Sequence, residues 1–286
     1  MSKKKINLVW LTARGSQTNF EREYIVNRVF GEFECVQHQN EDLMHDNAVL
    51  IFSCNTEDPS EEFWKVINWY RASKYSYFLY HLSDERCAFN PKHYAGAKWV
   101  WRNYGHSKYE KVKNLTVVPL GFQSGFLNEN RELNTERNID VAFAGSMKQD
   151  RAQLVDAIKA LDNHLVKVTT HFNDPAGIPV GGMRDVYHQT FLVPCPMGWA
   201  HPDSFRIMEA LEWGAIPIIK MEHEPYFQKL YPMNPFLVVR TWNELQTYVN
   251  ELTPSKRVCL KNAFNWYSWY IKRLKYDVKA KYESLL

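Results

Sequence analysis

Short apolar runs alternate with amphipathic runs along this chain, and they do so in two successive sets; no other feature constrains the fold as strongly. In the first set residues 6–11, 48–52, 75–82, 98–101 and 115–118 read as strands. Residues 20–30 have helical spacing, with Tyr24, Ile25, Val29 and Phe30 on the apolar side. Ser60 opens a further helix through Trp64, Ile67 and Trp69, with Glu62 in its first turn. The second set repeats the pattern: strands at 139–144, 165–169, 191–193 and 216–219, helices at 150–161 and 204–213. Strand–helix alternation builds parallel sheets covered by helices on both faces. Two sets predict an α/β protein of two Rossmann-like halves.

The chain of 286 residues fits about two domains at roughly 150 residues each. The join is expected between Gly121 and Asn138, a polar stretch with Asn128, Asn130 and Asn134 and no apolar periodicity. The expected division is 1–123, 124–263, and an aromatic-rich helix over 264–286 that packs back on the first domain. A net charge of +3 is too small for a nucleic-acid binder. The aromatic content of 15% suits sugar stacking as well as a Trp- and Tyr-rich core. Five cysteines without a Cys-x-x-Cys pair argue against a disulfide framework and a zinc site, and fit a reducing compartment. The run 6–11 is too short for a signal peptide or a membrane span, and a cytoplasmic location is expected.

The richest segment is 191–220, FLVPCPMGWAHPDSFRIMEALEWGAIPIIK. It reads as strand, loop, helix, turn, strand. Pro194, Pro196 and Gly198 shape the loop, and Asp203 or Ser204 stands where a helix cap belongs. The backbone N–H groups of a helix start form an anion site. Ser204 and Arg206 add donors there, Arg with a fork that grips two phosphate oxygens. Glu209, inside the same helix, is placed to accept from both hydroxyls of a ribose. Gly214 ends the helix. An Arg and a Glu on so apolar a helix need partners if buried.

Pro202-Asp203-Ser204-Phe205-Arg206, Glu209-Ala210-Leu211-Glu212 and Gly214-Ala215-Ile216-Pro217 together resemble the signature of the exostosin-like glycosyltransferases, family 47, of GT-B fold. The likeness extends to Pro194-Cys195-Pro196-Met197-Gly198, to Phe143-Ala144-Gly145-Ser146 followed by Arg151, and to Val118-Pro119-Leu120-Gly121. The first hundred residues match in pattern only. The narrower likeness is to small soluble members such as those of large algal viruses. The resemblance implies two Rossmann-like domains facing across a cleft, a UDP-sugar donor, inversion at the anomeric carbon and no essential metal. By position, Glu209 would hold the ribose, and Ser204, Phe205 and Arg206 the diphosphate. Gly145, Ser146, Arg151 and Gly198 would line the same donor site, and residues 170–174 would lie near the base. Two departures stand out. Family members are commonly membrane-anchored, and His201 stands where related enzymes carry a second acidic residue. No Asp-x-Asp pair is present, in keeping with a diphosphate held without a cation.

Inversion needs a base for the acceptor hydroxyl. The strand 75–82 ends in Ser83-Asp84-Glu85, with His81 just before. Asp84 is the first choice, because a side chain leaving a strand end projects into the cleft. Glu85 is the second, since successive residues alternate direction. Asp46 and Asp58 are weaker candidates. Arg102 and Asn103 are placed to bind acceptor or phosphate, and 14–17 to line the same region. The expected function is transfer of a monosaccharide from a UDP-sugar to a hydroxyl of a glycan or glycoconjugate. UDP-xylose is preferred among possible donors, because several related enzymes use pentoses. Neither nucleic acid nor a membrane span is an expected partner. One alternative is a catalytically inactive carbohydrate- or nucleotide-sugar-binding protein of the same fold. Another is an NAD-dependent enzyme, disfavoured by the missing Gly-x-Gly-x-x-Gly after the first strand.

Overall fold

The computed structural model describes residues 3–11, 20–39 and 45–286. They fall into two compact units. Unit 1 comprises Met1–Leu120, Trp199–Asp203 and Ile271–Leu286; unit 2 comprises Gly121–Gly198 and Ser204–Tyr270.

Unit 1 is built on six strands: β1 (Lys5–Leu11), β2 (Glu34–Gln39), β3 (Ala48–Ser53), β4 (Tyr77–Leu82), β5 (Val100–Arg102) and β6 (Leu115–Val117). They lie in the order β2-β1-β3-β4-β5-β6, every pair parallel. The buried runs of β3 and β4 are apolar on both faces because a parallel sheet is covered on both sides. Helix α1 (Arg22–Tyr24) continues into a wider turn at Ile25–Val29, closed by Phe30 N–H donating to the Ile25 carbonyl at 2.9 Å. Helix α2 (Glu61–Ala72) starts as its sequence predicts, with Ser60 Oγ accepting from the Phe63 N–H.

Unit 2 holds β7 (Ile139–Ser146), α3 (Arg151–Lys159), β8 (His164–Thr169), α4 (Val180–Gln189), β9 (Thr190–Pro194), α5 (Phe205–Glu212), β10 (Ile216–Lys220), α6 (Glu224–Leu230), β11 (Leu237–Val239) and α7 (Leu245–Leu252). Its sheet runs β11-β10-β9-β7-β8, again all parallel. Counted by chain order within each unit, both sheets begin 2-1-3-4-5. In such a doubly wound sheet the connections reverse between the first and third strands. Ligands bind at the carboxyl ends of the strands at that point. In unit 2 the point lies between β7 and β9, and β9 leads to α5.

The final helix α8 (Lys256–Glu283) begins eight residues before the expected Phe264. Its earlier part packs in unit 2, where the Tyr267 hydroxyl donates to buried Glu212 at 2.6 Å. Its later part packs in unit 1, where Tyr282 meets Phe78 and Phe33 at ring-centroid distances of 4.7 and 5.3 Å. Among the described residues no helix is long and apolar enough to cross a membrane.

Candidate functional site

The strongest site in unit 2 forms where β7 and β9 end. β7 runs out at Gly145 and Ser146, and Gly145 carries φ of +156°, outside the usual range of other residues. A Cβ there would sit 3.0 Å from Arg206 Nη2 and 3.7 Å from Arg151 Nη1. Glycine therefore lets two guanidiniums close in on one backbone position. Both also lie by the ring of Phe143, Arg206 at 5.0 Å and Arg151 at 5.9 Å from its centroid. Arg151 is buried and donates to the Ser146 carbonyl at 2.9 Å and the Met197 carbonyl at 2.7 Å. It braces the β7 end against the loop that carries Met197 and Gly198, and its charge stays in the site.

Helix α5 opens beside this pair. Ser204 is its N-cap by backbone geometry, yet its side chain makes no capping bond. Ser204 Oγ is buried without a hydrogen-bond partner, and so is Arg206 Nε, although Arg206 Nη2 donates to the Ala144 carbonyl at 2.8 Å. The capping expectation is thereby corrected. Asp203 is no cap either, because its carboxylate accepts from the Leu120 N–H at 3.0 Å within unit 1. An orphaned hydroxyl and an orphaned guanidinium N–H thus stand in the first turn of a helix, whose N-terminal end favours an anion.

One turn further on, Glu209 is 7% exposed, and its carboxylate accepts from the Gln123 N–H at 3.5 Å. Burial pushes its pKa up to about 7; Arg206 and that N–H pull the other way. After β8, Asp174 closes the 170–174 loop by accepting from the Thr170 N–H and hydroxyl at 2.9 and 2.7 Å and from the Ala176 N–H at 2.9 Å. These bonds, led by the Thr170 hydroxyl, hold its carboxyl down at about 2. The loop presents Phe172, which stacks nearly parallel to Phe205, with ring centroids 6.2 Å apart. Phe172 is 52% exposed, so the pair offers an open aromatic surface beside the helix start.

In unit 1 the first-choice base needs correcting. Asp84 is buried, and its carboxylate accepts from the N–H groups of Ala88 (2.7 Å) and Phe89 (3.1 Å), Arg102 Nη2 (3.0 Å) and the Tyr109 hydroxyl (2.9 Å). A carboxylate with four donors and no exposure has nothing left for a substrate. Arg102, expected to face a ligand, is also fully buried; it donates to Asp84, to the Tyr94 hydroxyl and to the carbonyls of Asn103 and Tyr104. His81 joins this network through Tyr94 at 2.7 Å and the Cys54 carbonyl at 2.9 Å. Burial, aided by Arg102, keeps it neutral.

Glu85 stands differently. One oxygen, Oε1, accepts from the N–H groups of Trp199 and Ala200, the latter at 3.0 Å. Its other oxygen accepts from none of the described residues and the side chain is half-buried. His201, the departure from the family pattern, accepts from the Asp203 N–H and faces the Gly105 carbonyl, each at 3.1 Å. Asp46 accepts from Ser76 N–H, and Asp58 pairs with His93 at 2.8 Å. The stretch 14–17 lies outside the described residues. No group of three His, Cys, Asp or Glu side chains gathers as for a metal among the described residues.

No protein-family model matches the chain, and no curated protein sequence matches it. Solved structures do. HepE from Anabaena in complex with UDP is 11% identical, the match covering 98% of this chain and 100% of that one with a TM-score of 0.54. The BGT of phage T4, with its UDP-glucose substrate, is 13% identical over 98% and 99% of the two chains, with a TM-score of 0.53. An alpha1,3-fucosyltransferase is 12% identical over 92% and 82%, with a TM-score of 0.50. The likeness shows the fold: two parallel-sheet Rossmann-like domains with a C-terminal helix, the GT-B class of the glycosyltransferases.

Proposed function

We propose that this protein is a glycosyltransferase that takes its sugar from a nucleotide diphosphate, UDP by preference. The observation that carries the reading is that Ser204 Oγ and Arg206 Nε, both at the start of α5, are buried and unpaired. Buried polar groups in native proteins are nearly always paired. Two that are not, beside a second guanidinium and free helix N–H groups, match a diphosphate. Glu209 lies one turn along α5, where the ribose would follow, and the Phe172–Phe205 pair offers a face for the base. The exostosin-like signature covers these same residues. The solved GT-B enzymes that hold UDP or a UDP-sugar make the same class of ligand reasonable here.

The reaction we propose is a direct displacement with inversion. The acceptor oxygen attacks the anomeric carbon as its proton passes to a carboxylate, and the bond from that carbon to the diphosphate breaks. Arg206, Arg151 and the α5 start stabilise the charge on the departing UDP, which makes a metal unnecessary. Glu85 takes the base role, since it keeps an oxygen clear of the protein and Asp84 does not. UDP-xylose remains the preferred donor through the family resemblance, with a glycan or glycoconjugate hydroxyl as acceptor.

Calorimetry with UDP tests the reading. Arg206→Ala should weaken UDP by about 1.5–3 kcal/mol, the range for a hydrogen bond to a charged group. Wild type that ignores UDP, or a folded variant that binds it unchanged, refutes it. Wild type that binds UDP-sugars yet neither hydrolyses nor transfers them would make the protein a binding protein of the same fold.

A further inference from the structure

Among the side-chain atoms of unit 1 that are buried without a partner are Trp10 Nε1, Glu21 Oε2, Tyr80 Oη and Asn103 Oδ1. None of the four residues is more than 3% exposed. The topology brings them to one corner. Trp10 pairs with Ile51, Ile51 with Tyr80 and Tyr80 with Trp101, so this row lies across β1, β3, β4 and β5 on a single face of the sheet. Phe30 packs edge-on against Tyr80 and Trp101, with centroids 6.1 and 5.5 Å away, which puts the 21–30 segment over that face. Glu21 begins the segment, and the Arg22 guanidinium lies 5.1 Å from the Trp10 ring centroid. Asn103 follows the last residue of β5 and uses its amide nitrogen on the Pro119 carbonyl, leaving Oδ1. The Glu21 carboxyl raises the pKa of the Tyr80 hydroxyl through space and the hydrogen-bonding side chain of Asn103 lowers it, so these three are neighbours.

The corner reaches from the carboxyl end of β1 to the residue after β5, and so takes in the side of β1 and β3 where the connections reverse and ligands bind in such folds. The segment above it departs from regular helix through its i→i−5 bond, a distortion found often at functional sites. The Asp84 network of the same unit supplies the contrast. There every carboxylate oxygen is satisfied, as a structural polar cluster requires.

We infer that Glu21, Tyr80 and Asn103, with Trp10, form the recognition corner for the acceptor, and that the acceptor's bound part is an uncharged, multiply hydroxylated ring: a neutral sugar or its glycoside. The inference rests on the glycosyltransferase reading above. Sugar hydroxyls both donate and accept, and this corner supplies both functions. Trp10 Nε1 donates, Asn103 Oδ1 accepts and Tyr80 does either. Burial raises the Glu21 pKa to about 8, so its carboxyl is mostly protonated at neutral pH and serves in both directions. None of the four is a cation, and the neighbouring Arg22 guanidinium is taken up by the Trp10 ring and by Gln37 Oε1, to which it donates at 2.8 Å.

Ligand-observed NMR on the full chain tests this, with the methyl glycosides of glucose, galactose and xylose as neutral probes and methyl glucuronide as the anionic one. At least one neutral probe should bind wild type, and the glucuronide should not. Tyr80→Phe and Glu21→Leu should each weaken the bound probe tenfold or more, while UDP affinity stays within twofold. Tyr80→Phe should melt close to wild type, because the nearest protein group to the hydroxyl it removes is the neutral side chain of Asn103. Three results overturn the assignment: no neutral probe binds wild type, the folded variants bind it unchanged, or the glucuronide binds as tightly. UDP binding, read in the same samples, tests the donor reading separately, since loss of one does not entail loss of the other.

Discussion

Substituting Glu209 by Gln should raise stability above neutral pH while lowering affinity for UDP. An ordinary glutamate has a pKa of 4.5, and burial raises that of Glu209 to about 7. The folded protein therefore binds this proton more tightly than the unfolded chain does. The stabilisation is complete below pH 4.5 and is lost as pH rises through about 7. From 4.5 to about 7, at about 1.4 kcal/mol per pH unit, the loss comes to roughly 3 kcal/mol. Glutamine keeps the shape and carries no charge, so Glu209→Gln escapes that loss. Urea unfolding at pH 5 and pH 8 measures it. Glu21 has a raised pKa too and adds its own slope, but it is common to both proteins and cancels in the comparison. Relative to wild type, the variant should gain up to about 3 kcal/mol between pH 5 and pH 8. An equal pH response in the two proteins would refute the reasoning. A ribose diol donating to the ionised carboxylate should weaken UDP in the variant, so a stabilised variant with undiminished UDP affinity would remove Glu209 from the donor site.

Asp84→Asn and Glu85→Gln should separate cleanly. The first breaks a fully buried pair with Arg102 and should destabilise the fold by about 3–5 kcal/mol, measured by urea titration. The second should leave the melting temperature in place and lower transfer roughly 10²–10⁴-fold at unchanged UDP-sugar affinity, measured by initial rates and calorimetry. A stable Asp84→Asn protein with normal folding and no turnover would return the base role to Asp84. Transfer should survive excess EDTA; activity abolished by chelator and restored by manganese or magnesium would contradict a leaving group stabilised by Arg206, Arg151 and α5 alone.

The two-sheet architecture was legible because parallel strands covered on both faces are written as unbroken apolar runs, as in β3, β4 and β9. Elements lacking that signal were missed. β2 is an edge strand with half-exposed residues along its length, β11 has only three residues, and α4 carries two glycines near its start. The strand–loop–helix around Ser204 was readable from Pro, Gly and the apolar periodicity of α5. Its unused cap hydroxyl was not, since Ser at that position ordinarily bonds its own helix. The inward placement of Asp84 has a specific cause. Alternation of side chains holds only while the chain stays extended, and Ser83 turns it with φ of +67° directly after β4. Asp84 thereby faces the interior and Glu85 the surface. The corner of Glu21, Tyr80 and Asn103 draws on three separated segments, and only the register of the sheet brings them together.

A crystal structure with UDP bound tests the central claim most directly. The diphosphate should lie at the start of α5, within hydrogen-bond distance of Ser204 Oγ and the Arg206 guanidinium, with the ribose hydroxyls on Glu209. UDP bound elsewhere, with Ser204 Oγ and Arg206 Nε still unpaired and Glu209 touching only protein, would contradict it.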